Sequence, residues 1–141
     1  MNGFLVDANV LCEATRPKAE PRVLAWLAKH DKSLIVSVIT LGEILKGIRL
    51  LARGARRAGL ERWFQEVVLG FDGRVLPVDI DVMRVWADVC ARNQRAGRLL
   101  SSFDSLLAAT AVHHRLTLVT RNVQDFPTEV SIVDPWSARC H

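Results

Sequence analysis

Ser101-Ser102-Phe103-Asp104-Ser105-Leu106-Leu107-Ala108-Ala109-Thr110-Ala111-Val112-His113-His114-Arg115-Leu116-Thr117-Leu118-Val119-Thr120 decides the fold. Ser101 or Ser102 caps a helix that runs through Arg115. The helix has almost no polar face between Phe103 and Val112, so it is buried on most sides. Leu116–Thr120 then reads as an apolar strand. A buried helix feeding a buried strand predicts helices packed on a sheet rather than a bundle or a β-sandwich.

Working outward, the same alternation recurs. Phe4–Val6 is a short apolar strand, and Asn9 to Thr15 a short helix stopped before Pro17. Pro21 suits the first turn of a second helix with Val23, Leu24, Trp26 and Leu27 on its apolar face. Leu34–Val38 is a second strand, followed by a helix from Thr40 to about Arg53 that ends near Gly54. Arg57–Leu69 is a further helix, ending at Gly70. Arg74–Val78 is the third strand. Asp79 caps a helix to about Ala96, with Val82, Met83, Trp86, Val89 and Cys90 inward and Gly97 as its stop. Val130–Val133 is a fifth strand, ended by Pro135. Strands alternating with helices predict α/β architecture around a mainly parallel sheet, in one domain over 1–141. Ligands of such sheets bind beyond the carboxyl ends of the strands.

Four acids stand at those ends. Asp7 closes the first strand, Glu43 and Asp104 ride the first turns of helices, and Asp125 follows the fourth strand. Gathered together, such carboxylates repel and call for a cation. Hard oxygen ligands point to Mg²⁺ or Mn²⁺, and so to phosphate chemistry. Asn9, Thr40, Thr120 and Asn122 are polar groups near the same edge, suited to orienting a carboxylate or a water. Each acid also has a plain structural reading. Asp7 serves as a turn or helix cap. Thr40-x-x-Glu43 has the form of a capping box, and Ser101-x-x-Asp104 repeats it with a shorter acid. Asp104 is the hardest to explain that way, because its helix carries it into an apolar setting where a carboxylate needs a partner.

The bulk composition agrees with a folded, basic protein. Half of the 141 residues are hydrophobic, and 19 basic residues face 15 acidic ones. An acidic pocket within a basic surface suits a polyanion cleaved with metal help, although a mildly basic surface alone looks the same. No apolar run approaches a membrane span and no signal peptide is expected, so the cytoplasm is the default compartment. Cys12, Cys90 and Cys140 are odd in number and widely spaced, which reads as structural thiols in a reducing compartment. His113 and His114 diverge by roughly 100° on a helix and read as surface residues near its C-terminus. The run Arg49, Arg53, Arg56, Arg57 and Arg62 is either a grip for a partner or a solvated helix pair. Trp26, Trp63 and Trp86 read as core.

Four stretches resemble the ordered motifs of PIN-domain ribonucleases: Val6-Asp7-Ala8-Asn9, Ser37-Val38-Ile39-Thr40-Leu41-Gly42-Glu43-Ile44, Phe103–Ala111, and Leu118-Val119-Thr120-Arg121-Asn122-Val123-Gln124-Asp125-Phe126. With Asp134-Pro135-Trp136, the chain looks most like VapC-type toxins of toxin–antitoxin pairs, in particular the FitB-like group. That resemblance implies a three-layer α/β sandwich with helices flanking the sheet. It implies a Mg²⁺- or Mn²⁺-dependent endoribonuclease acting on RNA, a homodimer, and a small antitoxin whose tail enters the acidic groove. It puts Asp7 and Asp104 in the role of main metal ligands, with Glu43 as third acid. Where many relatives carry an acid directly after Thr-Arg, this chain has Asn122. The fourth place therefore falls to Asp125, or to Asn122 holding a water. Arg121 stands beside the site as a candidate phosphate contact or an ordinary salt-bridge partner.

Competing readings are a phosphotransferase with an aspartyl nucleophile, a non-catalytic interaction module with a decayed site, and a nuclease acting on DNA. The first wants an acid two residues after the nucleophile, and Asn9 stands there. Phosphate loops of the GxxxxGK[ST] and GxGxxG kinds are absent.

Overall fold

A computed structural model describes residues 3–137 and the backbone of 139 and 140. Its strands are β1 (Phe4–Val6), β2 (Leu34–Ser37), β3 (Val75–Leu76), β4 (Thr117–Val119), β5 (Ile132–Asp134) and β6 (Arg139–Cys140). Its helices are α1 (Ala8–Glu13), α2 (Pro21–Lys29), α3 (Val38–Arg49), α4 (Ala55–Gly70), α5 (Ile80–Arg95) and α6 (Ser102–His114). The strand order is β3-β2-β1-β4-β5-β6. The first five pair in parallel, and β6 joins β5 antiparallel. β6 lies beyond Pro135, where the sequence reading expected the last strand to end. Short-range pattern carries little signal for a two-residue strand that exists only through pairing.

Side chains of a strand alternate between faces, and here the alternation divides the core. Phe4, Val6, Leu34, Val36 and Val119 pack with Val10, Leu11, Val23, Leu41, Ile44, Ile48 and Phe64 from α1 to α4. Leu5, Ile35, Leu116 and Leu118 face the other way, against Leu107, Ala108 and Ala111 of α6, with Phe126, Val130 and Ile132. Both faces are covered, which is why the strands read as continuous apolar runs. The small residues of α6 let it lie close to the sheet, and Ser105, Leu107, Ala108, Ala109, Thr110 and Ala111 are all buried. The three-layer sandwich expected from the sequence is the observed architecture.

One boundary differs with consequence. The helix after β2 starts at Val38, not Thr40, because Ser37 is its cap: the Ser37 hydroxyl accepts the Ile39 N–H at 3.1 Å. Thr40 and Glu43 thus lie inside the helix and form no capping box. α3 also stops at Arg49 rather than near Arg53, and α4 starts at Ala55 rather than Arg57. Ser101, by contrast, does cap α6 through the Asp104 N–H. His114 departs from the surface reading as well. It is half-buried, and its ring meets His113 edge to face at 4.7 Å.

Candidate metal-binding active site

β1 lies between β2 and β4, and the chain leaves it for β2 on one side and reaches β4 on the other. That is a switch point of strand order, where the connections diverge and leave a crevice. Asp7 ends β1 there and Thr120 ends β4, joined by the Asp7 N–H to Val119 carbonyl bond of 2.9 Å. Asp7 is 8 % exposed. One carboxylate oxygen accepts the Ala8 N–H at 2.7 Å, so Asp7 caps α1. The other accepts the Thr120 hydroxyl at 2.8 Å. The capping reading of Asp7 thus holds for one oxygen, and the other faces the Thr120 corner.

Thr120 is the hub of this corner. Its Oγ1 also accepts the Asn122 N–H at 3.1 Å and the Asn9 side-chain amide at 3.3 Å. The Asn9 amide reaches the second Asp7 oxygen at 3.5 Å, and its oxygen accepts the Arg121 N–H at 3.4 Å. Asn9, Thr120 and Asn122 thus form one network around Asp7.

The electrostatics tie the acids together. Burial pushes the Asp7 carboxyl above the ordinary range; the Thr120 and Ala8 bonds pull it down, and Asp104 and Asp125 push it up. Burial also raises Glu43, with Asp7 and Asp104 adding to the shift and Lys46 opposing it. Asp7 thus feels the charges of Asp104 and Asp125, and Glu43 those of Asp7 and Asp104. Among the described residues, no three His, Cys, Asp or Glu side chains close into a ready cage. Mg²⁺ tolerates that: it keeps several of its waters and takes one or two carboxylates. The all-oxygen donor set and the mutual repulsion fit a hard divalent ion.

The remaining predicted residues divide. Asp125 sits in a short 3₁₀ turn, Val123–Asp125, and its charge reaches Asp7. Asn122 is exposed, and the bond it contributes to the network comes from its backbone. Thr40 is fully buried, one helical turn before Glu43, and its hydroxyl finds no partner among the described residues. Arg121 makes no salt bridge among the described residues; its guanidinium lies over the Trp136 ring, 4.8 Å from the centroid.

Sequence reasoning missed two residues here. Glu13 is a buried acid, but it staples α1 to α2: it accepts the Glu20 N–H at 2.8 Å and an Arg16 bond at 3.3 Å. Arg98 donates to the carbonyls of Gln124 and Phe126, on either side of Asp125. The one signal for Arg98 was its place directly after the helix-ending Gly97. Beside the acids, a groove of about 390 Å³ runs between α1, α3 and α4, lined among others by Asn9, Cys12, Glu43, Gly47, Arg56 and Trp63. Burial, and then Asp7, push the Cys12 thiol up, which disfavours the reactive thiolate.

Comparison with known proteins agrees with this geometry. The family profile described as PIN domain matches residues 4–127. Toxin FitB of Neisseria gonorrhoeae is 35% identical over 136 residues, spanning 94% of this chain and 98% of FitB. VapC ribonuclease Y4jK of Sinorhizobium fredii is 33% identical, over 94% of this chain and 97% of its own. The crystal structure of FitAcB from Neisseria gonorrhoeae superposes with a TM-score of 0.88 at 34% identity, covering 94% of this chain and 98% of that one. FitAB bound to an IR36 DNA fragment gives 0.89 at 32%, covering 94% and 95%. On its ordered motifs, its sheet and its relatives, this chain belongs to the PIN-domain family.

Proposed function

We propose that this chain is a Mg²⁺- or Mn²⁺-dependent endoribonuclease and the toxin of a toxin–antitoxin pair, working in the cytoplasm. The observation that carries the reading is the buried Asp7 carboxylate, braced by Thr120 and Ala8 at the carboxyl edge of the sheet, which feels the charges of Asp104 and Asp125, while Glu43 feels those of Asp7 and Asp104. Four carboxylates so arranged are unfavourable without a cation. The names of the relatives, toxin FitB and VapC ribonuclease, supply RNA and the toxin role.

In this reading Asp7, Asp104 and Glu43 would hold the ion, which when bound would supply an activated water and neutralise charge on the phosphate. Thr120 and the Ala8 N–H hold the Asp7 carboxylate in one orientation, so that little reorganisation accompanies the reaction. Asn9 braces Thr120. Asp125 adds a fourth negative charge. Arg121, lying over the Trp136 ring, offers its guanidinium to a phosphate flanking the scissile one. Hydrolysis there would join the water oxygen to phosphorus and break the bond to the leaving oxygen, with one water proton ending on that oxygen and the other on the new terminal phosphate or in solvent. No side-chain nucleophile is required.

The partner is a small antitoxin protein. The groove beside Glu43, mostly apolar with Arg56 further along it, offers a segment of such a partner both hydrophobic contact and access to the acids. A homodimer follows from the likeness to the FitB-like group, and light scattering at two concentrations measures it.

The deciding experiment incubates the purified chain and its Asp104→Asn variant with mixed tRNA and mRNA, in Mg²⁺, in Mn²⁺ and in EDTA. Fragments that need the metal and disappear with the variant are expected. Folded, antitoxin-free protein that neither cleaves RNA nor binds metal by calorimetry would leave the interaction-module reading in its place.

A further inference from the structure

The turn that carries Asp125 is closed by short-range backbone bonds and tied to Thr120 at its start. The Asp125 N–H reaches the Asn122 carbonyl at 3.0 Å and the Phe126 N–H the Val123 carbonyl at 3.4 Å. Phe126, 3 % exposed, anchors one end in the core. Asp125 itself is exposed, and no side-chain bond to its carboxylate is found among the described residues. A carboxylate on such a turn does not by itself keep one position relative to Asp7.

Arg98 supplies what the turn lacks. Its Nη2 donates to the Gln124 carbonyl at 2.6 Å and to the Phe126 carbonyl at 2.8 Å. One guanidinium thus grips the backbone on both sides of Asp125. The origin of that grip is local. Gly97, at φ +82°, ends α5 in the left-handed region that glycine enters freely. The Gly97 N–H bonds the Gln94 carbonyl at 3.0 Å and the Arg98 N–H the Asn93 carbonyl at 2.8 Å. This pair of bonds is the Schellman closure of a helix. It sets the backbone direction from which the Arg98 side chain reaches the turn. Arg98 also lies in the connection to α6, which bears Asp104. The same short stretch therefore ties together the segments carrying two of the acids.

We infer that Arg98 is a positioning residue for the metal site, and that it acts by holding Asp125 as the fourth acid facing Asp7, in place of a water held by Asn122. The inference rests on the metal-dependent reading above. Arg98 does not touch the ion or the RNA. Its effect passes through the backbone of 124–126.

A double-mutant cycle tests this. Mn²⁺ is titrated calorimetrically into the wild type, Arg98→Ala, Asp125→Asn and the double variant, with Asp104→Asn as a control. Hydrogen exchange of the Asp125 and Phe126 amides is followed without metal. Loss of a group that orients a ligand typically lowers metal affinity 10–100-fold. Each single variant is expected to weaken Mn²⁺ binding about tenfold, and the double variant no more than either. Exchange at 125 and 126 should quicken in Arg98→Ala, and Arg98→Lys should recover part of both effects.

Unchanged Mn²⁺ affinity in a folded Arg98→Ala protein overturns the inference and leaves Arg98 a structural staple. So does a further loss when Arg98→Ala is added to Asp125→Asn. If Arg98→Ala does not fold, Arg98→Lys carries the comparison. A wild type that binds no Mn²⁺ defeats the metal-dependent reading itself, and this inference with it. A wild type that binds while Asp104→Asn does not, with both Arg98 variants unaffected, defeats only the role of Arg98.

Discussion

Replacing Thr120 by valine removes one oxygen from the site and keeps the shape of the side chain. Thr120 is fully buried, and its Oγ1 serves three bonds at 2.8, 3.1 and 3.3 Å, to Asp7, Asn122 and Asn9. A hydrogen bond to a charged group contributes about 1.5–3 kcal/mol, and a neutral one about 1 kcal/mol. The added methyl returns roughly 0.8 kcal/mol by apolar burial. With Asp7 ionised, these terms leave a net loss of about 3–4 kcal/mol. In a chain of this size that lowers Tm by roughly 10–14 °C. The same bond holds the Asp7 carboxyl down against the upward push of burial. Its loss raises that carboxyl further, so the penalty shrinks as the pH falls and Asp7 becomes neutral. Mn²⁺ affinity should drop about 10–100-fold, because Asp7 loses the group that orients it. Urea unfolding at neutral and mildly acidic pH, with calorimetric Mn²⁺ titration, measures both effects. Thr120→Ser keeps the hydroxyl and should keep the metal affinity despite the missing methyl. A valine variant within about 0.5 kcal/mol of wild type, binding Mn²⁺ as tightly, would refute the reasoning.

Glu43→Gln should reverse its effect with metal. The folded carboxyl lies above its ordinary value, through burial, Asp7 and Asp104, so its ionisation opposes folding once the pH rises through that value. In EDTA at neutral pH the glutamine variant is expected to melt higher than wild type, and in saturating Mg²⁺ lower; a lower Tm in both would show that no repulsion was relieved. For the same reason Asp7 and Glu43 favour the fold below the ordinary carboxylate range and lose that contribution as the pH rises through their raised values. The stabilisation by Mg²⁺ at neutral pH should therefore fade on acidification through that window, which melting curves across pH follow. Thr40→Val exchanges a buried hydroxyl, unpartnered among the described residues, for a methyl at no change in branching. An unmet buried group costs about 1–3 kcal/mol, so metal-free protein should gain stability in urea unfolding. A loss of more than about 1 kcal/mol would reveal a bond partner for Oγ1. Gly47 lies in the groove wall, and a Cβ there meets nothing within 4 Å. Gly47→Ala should stabilise α3 by about 0.5–1 kcal/mol, while Gly47→Met should weaken antitoxin binding at least tenfold in a folded protein. Unaltered antitoxin affinity in Gly47→Met would remove the groove from the proposed partner site.

Much of the site was legible because its parts are local. Asp7 and Asp104 sit where a strand ends or a helix begins, and those ends are marked by periodicity and by Ser and Asp caps. The exception is instructive. Thr40-x-x-Glu43 has the form of a capping box, yet Ser37 took the cap, three residues earlier. Either position satisfies local rules. The end of β2, set by pairing with β1 and β3 at Leu34, Ile35, Val36 and Ser37, decides between them. Asn122 and Asp125 were equal candidates for a similar reason. Sequence spacing does not tell which side chain of a turn faces a distant carboxylate.

The chain by itself determined the alternation of strands and helices, the apolar faces that put α6 against the sheet, and the placing of Asp7 and Asp104 at element ends. These follow from side-chain periodicity, capping and turn chemistry, all acting within a few residues. Tertiary structure alone decided the strand order, with β1 at its switch point, and with it the meeting of Asp7 and Thr120 across 113 positions. It alone buried Asp7 enough to shift its carboxyl, left the Thr40 hydroxyl without a partner among the described residues, and turned Arg98 toward the Asp125 turn. Burial, charge coupling and long-range hydrogen bonds depend on which distant groups become neighbours, and only the folded chain makes them so.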